Sequence, residues 1–133
     1  MSEESLQIVR ALIDAANRGD WDGCIENTGP GFVWDSSRAI GTDNRAVLES
    51  AEEAQDFFKE LSEIWESFRI EIDEMIPVGD HVVVPHTTHV RGRDGIEARA
   101  HTTWLFTIRN GQIERVCLYQ ERDDALNAAG LSE

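Results

Sequence analysis

Apolar residues recur at helical spacing near the start of the chain, where Leu6, Val9, Ile13 and Ala16 share one face of residues 3–18. Acidic residues in the first turn and Gly19 at the far end complete the signals of an amphipathic helix. Asp20 is placed to cap a second, short helix through Trp21 and Ile25, and Gly29-Pro30-Gly31 is expected to end it before a short strand, Phe32-Val33-Trp34. A loop through Gly41 follows. Ser50 and Glu53 then stand at capping-box spacing, and Ala54, Phe57, Phe58, Leu61, Trp65 and Phe68 mark one face of a long helix. Its acidic side, with Glu52, Glu53, Asp56, Glu60 and Glu63, reads as solvated surface.

At Phe68 the period changes from helical to two, with Phe68, Ile70 and Ile72 alternating with charged residues, which predicts entry into a sheet. Gly79-Asp80, the run Gly92 to Gly95 and Asn110-Gly111 then divide three further strands, residues 81–91, 96–109 and 113–120, into an antiparallel meander. In the longest strand the even positions from Ile96 to Ile108 form the more apolar face and are expected to point to the core, leaving His101 and Thr103 outward. The end of the chain, Asp123 to Leu131, predicts a short helical turn capped by Gly130. Helices first and hairpins after make this an α+β chain. At 133 residues it has room for one core, so residues 1–133 read as a single domain.

Composition narrows the partners. Twelve Lys and Arg against 26 Asp and Glu leave a net charge of −14, which repels a phosphate backbone, so nucleic acid is not an expected partner. No apolar run approaches the length of about 18 residues that crosses a bilayer, and the first residues do not have the basic-then-apolar order of a signal peptide. No membrane association and a cytoplasmic location are the expectations. Cys24 and Cys117 fit no metal spacing and read as small buried apolar residues.

The order helix, short helix, strand, helix and curled meander resembles the nuclear transport factor 2-like superfamily, in particular its SnoaL-like branch. The residues that carry the resemblance are Asn17-Arg18-Gly19-Asp20-Trp21-Asp22, the strand from Phe32 to Asp35, the hairpin Asn110-Gly111-Gln112-Ile113, and the ending Ala125 to Leu131. The resemblance implies a strongly curved sheet wrapped around the N-terminal helices as a cone, with an internal pocket lined by apolar and aromatic residues. Members include ketosteroid isomerases, polyketide cyclases and limonene epoxide hydrolases, so the fold alone leaves the reaction open.

Each of those chemistries implies a residue set. By resemblance to the isomerases, Asp35 stands where a carboxylate base follows the first strand, with Trp34 and Trp104 able to keep it dry. The isomerases also have a tyrosine and a protonated aspartate as oxyanion donors, where this chain has Leu12 and either Thr102 or Thr103. Loss of one such donor typically costs on the order of 100-fold in rate, which argues against ordinary steroid isomerisation. Resemblance to the cyclases puts Leu118 at the place of their acid, with Glu121 nearby, and resemblance to the epoxide hydrolases leaves only Asp35, Arg99 and Arg115 as partial substitutes for two aspartates and an arginine. Asp35 has a plainer reading as a turn residue capping Ser36 and Ser37.

His86 shares the parity of Val82, Val84 and Val90, which predicts an interior imidazole available as acid, base or ligand partner, or else a core histidine bonded to a backbone carbonyl. Pro85 beside it is a possible bulge site. His86 and His89 form an H-x-x-H string, but residues three apart in a strand face opposite sides, so no metal site is expected. Phe58, Trp104 and Phe106 fit core spacing. Arg115 and Tyr119 share a parity with Ile113 and Cys117 and line either the pocket or a dimer interface.

The sequence therefore supports three readings. One is a small enzyme of isomerase, cyclase or hydrolase type, acting without a cofactor on a mostly apolar metabolite, with Asp35, His86 and Tyr119 as catalytic residues and Trp34, Phe58, Thr102, Trp104 and Arg115 against the ligand. Another is a non-catalytic binding module using the same pocket. The third is a homodimer formed through an outer sheet face that carries Val83, Leu105 and Tyr119.

Overall fold

The computed structural model describes residues 2–38 and 47–130. Helix α1 (Ser2–Arg18) buries Val9, Leu12, Ile13, Ala15 and Ala16, the expected stripe widened by two neighbours. Gly19, in the left-handed region at φ 74°, ends it. Helix α2 (Trp21–Cys24) starts at Asp20, whose carboxylate accepts from the Gly23 N–H at 3.0 Å. Strand β1 (Thr28–Arg38) does not wait for the Gly-Pro-Gly segment to end but runs through it. The register against its neighbour slips between Thr28 and Val33, which lets residues suited to a turn sit inside a strand. The expected loop through Gly41 lies outside the described residues.

A two-residue strand β2 (Val47–Leu48) precedes helix α3 (Ala51–Ile64). Ser50 caps α3 by accepting from the Glu53 N–H at 3.1 Å, while the Glu53 carboxylate reaches back to the Glu49 N–H at 2.9 Å. The helix is shorter than its apolar spacing predicts, because Trp65 is already extended and opens β3 (Trp65–Ile72). A bulge between Trp65 and Ser67 shifts the alternation by one, so the three-residue spacing of Trp65 and Phe68 suits a bulged strand as well as a helix.

The short β4 (Ile76–Val78) and the long β5 (His81–Gly92), β6 (Glu97–Arg109) and β7 (Gln112–Tyr119) complete a curved seven-stranded sheet in the order β2-β1-β7-β6-β5-β3, with β4 paired to the free part of β5. β5, β6 and β7 form the antiparallel meander, and the hairpin at Asn110-Gly111 has both residues at positive φ, as such a turn requires. β1 joins the sheet parallel to β7, a long-range pairing that local signals do not announce.

Two hydrophobic clusters occupy the two faces. The larger lies between the sheet and helices α1 to α3 and includes Trp34, Ile70, Val82, Val84, Trp104, Phe106 and Val116. On the other face Val83, Leu105 and Cys117 are covered by Ala125, Leu126 and Ala129 from helix α4 (Arg122–Ala128) and the residue after it. The apolar outer face on which we expected a partner subunit to dock is therefore covered within the one chain: Val83 is 0% and Leu105 5% exposed. Tyr119 packs at the edge of that second cluster. Asn17, at the end of α1, exchanges two hydrogen bonds with the Ile70 backbone on edge strand β3, donating at 3.0 Å and accepting at 2.7 Å, and so behaves as one residue of an added strand.

Candidate functional site

Between the helices and the sheet lies a cavity of about 370 Å³. Leu12 and Ala16 of α1, Trp21 of α2, and Phe57, Phe58 and Leu61 of α3 form the helical wall; Trp34, Phe68, Ile70, Trp104 and Leu118 form most of the sheet wall. The aromatic rings are in continuous contact. Trp21 stacks on Phe58 at 6.2 Å, Phe58 meets Trp34 edge-on at 4.7 Å, Trp34 meets Trp104 at 5.6 Å, and Trp104 lies 4.1 Å from the His86 ring. Ser36, Glu60, Ser62, Thr88, His86 and Thr102 supply the polar side chains of the wall.

His86 is the most buried of these, 1% exposed, and both ring nitrogens are engaged. Nδ1 lies 3.0 Å from the Val84 carbonyl and Nε2 lies 2.8 Å from the Thr102 hydroxyl. Burial holds its imidazole below the usual histidine range, opposed in smaller measure by the bond to Val84 and by the charge of Asp73. The ring is therefore neutral at pH 7, with its tautomer set by the carbonyl. Pro85 introduces no bulge: β5 pairs with β6 without a slip from His81 to Arg91, which keeps His86 on the cavity side.

Of the residues predicted for the site, Trp34, Phe58, His86, Thr102 and Trp104 line this cavity. Asp35, Arg115 and Tyr119 do not. Trp34 takes the inward position, so Asp35, one residue on, points to the opposite face. There its carboxylate accepts from Arg115 at 2.9 Å, and Arg115 Nε also donates to Cys117 Sγ at 3.0 Å. This placement removes the role of base in the cavity that we expected of Asp35. Arg115 and Tyr119 are moved outward by a bulge in β7: Thr107 pairs with Arg115 and Ile108 with Ile113, which inserts Glu114 and breaks the parity that linked them to Ile113. His89 likewise faces away from His86 and meets Glu71 at 2.8 Å. Among the described residues no group of three or more His, Cys, Asp or Glu side chains comes together as a metal site. Cys24, buried beside Leu12, has its thiol pushed up to about 12, mostly by burial, and is a packing residue.

The SnoaL-like domain profile matches residues 9–116. The chain belongs to the SnoaL-like domain family. No curated protein sequence matches it significantly. Solved structures agree on the fold at low identity. A nuclear transport factor 2-like protein of unknown function from Burkholderia pseudomallei superposes with a TM-score of 0.77 at 19% identity, over 93% of this chain and 95% of that one. An epoxide hydrolase of the LEH-like kind from M. tuberculosis gives 0.74 at 15%, over 96% and 90%. A protein of ketosteroid isomerase-like fold from Catenulispora acidiphila, in complex with trimethylamine, gives 0.74 at 17%, over 94% and 93%.

Within this SnoaL-like chain the positions compared with the isomerases now have definite surroundings. Leu12 and Thr102 lie on the cavity wall, while Thr103 is on the other face. Leu118 is on the wall as well, and Glu121 stands outside at the start of α4. Sequence reasoning missed Ser36 and Leu61 as wall residues, although the parity of Ser36 with Trp34 and the helical spacing of Leu61 with Phe57 and Phe58 carry the signal.

Proposed function

We propose that this SnoaL-like chain binds a small, mostly apolar metabolite in the cavity and holds the metabolite's polar end at Thr102, whose hydroxyl His86 orients. The observation that carries the reading is the cavity itself: its volume falls within the range of ligand pockets, its walls are mainly aromatic and aliphatic, and its deepest polar feature is one neutral, doubly bonded imidazole. Two proteins that share this fold at low identity are an epoxide hydrolase, from M. tuberculosis, and a Catenulispora protein that holds trimethylamine. Trp34 and Trp104 sit on the wall, so filling the cavity should change tryptophan fluorescence. A library of apolar compounds screened by that signal and by thermal shift is expected to give saturable binding that Trp104→Ala weakens. A library without a saturable binder would defeat the reading.

The state of His86 favours a second reading, cofactor-independent proton transfer of the isomerase, cyclase or hydrolase kind. A neutral imidazole with a fixed tautomer is competent as a general base through Thr102, whose hydroxyl passes its proton to Nε2 as its oxygen takes one from the substrate, and it replaces Asp35 in that role. Small lactones, epoxides and enones are the compounds to assay, and His86→Gln should abolish any turnover found. Turnover that survives in His86→Gln would reject His86 as the base.

A further inference from the structure

The bonds around His86 determine what the cavity asks of its occupant. The Val84 carbonyl can only accept, so Nδ1 carries the proton of the neutral ring and donates it over 3.0 Å. Nε2 is then a lone pair, and its partner at 2.8 Å, the Thr102 hydroxyl, donates its single proton there. With that proton committed, Thr102 Oγ1 offers only lone pairs to the cavity it lines.

We infer that the ligand carries a hydroxyl that donates to Thr102, so that the site selects a hydroxylated apolar compound over the ketone of the same skeleton. The inference rests on the ligand-binding reading above. A ketone oxygen at this position would meet Thr102 lone pair against lone pair. Turning the Thr102 proton into the cavity would relieve that clash but leave Nε2, on a ring 1% exposed, without its donor. Thr88 on the same wall does not discriminate, since a hydroxyl serves as donor or acceptor as its partner requires. Glu60 and Ser62, whose hydroxyl donates to the Lys59 carbonyl, also only accept, so a preference arising at either would persist when His86 is replaced. The indole N–H groups of Trp34 and Trp104 are donors only, suited to an acceptor elsewhere on the ligand. One hydrogen bond made or lost in such a setting is worth about tenfold in affinity.

Three matched sets of increasing size test this on the full chain by tryptophan fluorescence and calorimetry: phenylethanol, acetophenone and ethylbenzene; tetralol, tetralone and tetralin; fluorenol, fluorenone and fluorene. In the tightest-binding set the alcohol is expected to bind about tenfold more tightly than the ketone. His86→Phe, which keeps an aromatic ring against Trp104 but frees the Thr102 proton, should bring the ratio close to one, while Thr102→Ser should preserve it. Equal binding of alcohol and ketone to the wild-type protein overturns the inference and leaves the binding reading standing. So does a full preference that persists in His86→Phe. Failure of all nine compounds to bind defeats the binding reading and the inference together. If His86→Phe does not fold, the wild-type ratio decides alone.

Discussion

Two polar pairs sit on opposite faces of the same sheet and do different physical work. On the cavity face His86 and Thr102 are enclosed by aromatic rings, and burial has already shifted the imidazole. On the other face Asp35 and Arg115 form an ion pair with one end in water, the arginine 47% and the carboxylate 13% exposed, so water screens part of their attraction. Trp34 and Asp35 are adjacent in sequence, and one step of strand alternation separates a wall residue from one with no access to the cavity. Residue type alone therefore ranks candidate catalytic groups poorly in a half-buried sheet. A carboxylate carries more chemical potential than a threonine, yet the threonine is on the wall.

The comparison is tested most severely where both faces claim to be core. Phe106 supports the cavity side and is 0% exposed, so Phe106→Ala should cost about 3–5 kcal/mol. Leu105, its neighbour on the other face, lies under α4, and Leu105→Ala should cost about 2–5 kcal/mol rather than the few tenths expected on an open sheet surface. Urea denaturation measures both. A cost below about 1 kcal/mol at Leu105 would mean that α4 does not seal that face in solution.

The next test uses acid. Because burial lowers the His86 pKa in the folded state, the unfolded chain binds that proton more readily. The contribution is complete above the unfolded value of about 6.5 and is lost as pH falls from there toward the lower folded value, at about 1.4 kcal/mol for each pH unit separating the two. Carboxylates also titrate in acid, so the informative quantity is the stability of wild type minus that of His86→Phe. That difference should be flat above about pH 7 and fall below it. A flat difference down to pH 5 would show that the ring takes up its proton without penalty.

Much of this architecture is legible in the sequence because its signals are local. The Asn110-Gly111 turn, the Ser50 cap, the stripe of α1 and the alternation that buries Trp104 and Phe106 each follow from a few neighbouring residues. What the sequence conceals is set by long-range pairing or by a single inserted residue. The bulge at Glu114 sends Arg115 and Tyr119 outward although counting from Ile113 puts them in the interior, and nothing in a two-residue alternation marks where such an insertion falls. The parallel contact of β1 with β7, which brings Arg115 to Asp35, joins residues 80 apart in the chain. The covering of Val83 and Leu105 by α4 is of the same kind: a stripe of outward apolar residues looks alike whether a partner subunit or the chain's own last helix packs on it.

The smallest expected effect completes the contrast between the pairs. Arg115→Gln removes the charge opposite Asp35 and one donor to Cys117; the arginine is half exposed but the carboxylate only 13% exposed, so the loss of stability should be about 1–2 kcal/mol. Asp35→Asn keeps the shape of the side chain and should leave the affinity of any cavity ligand within about twofold of wild type, because the carboxylate lies across the sheet with its charge met by Arg115. Calorimetry on the same alcohol with both variants is sufficient. A tenfold loss of affinity in Asp35→Asn would show that charge on the outer face reaches the cavity, through the Trp34 backbone or through a change in β1, and the sheet would then no longer count as a partition between the two pairs.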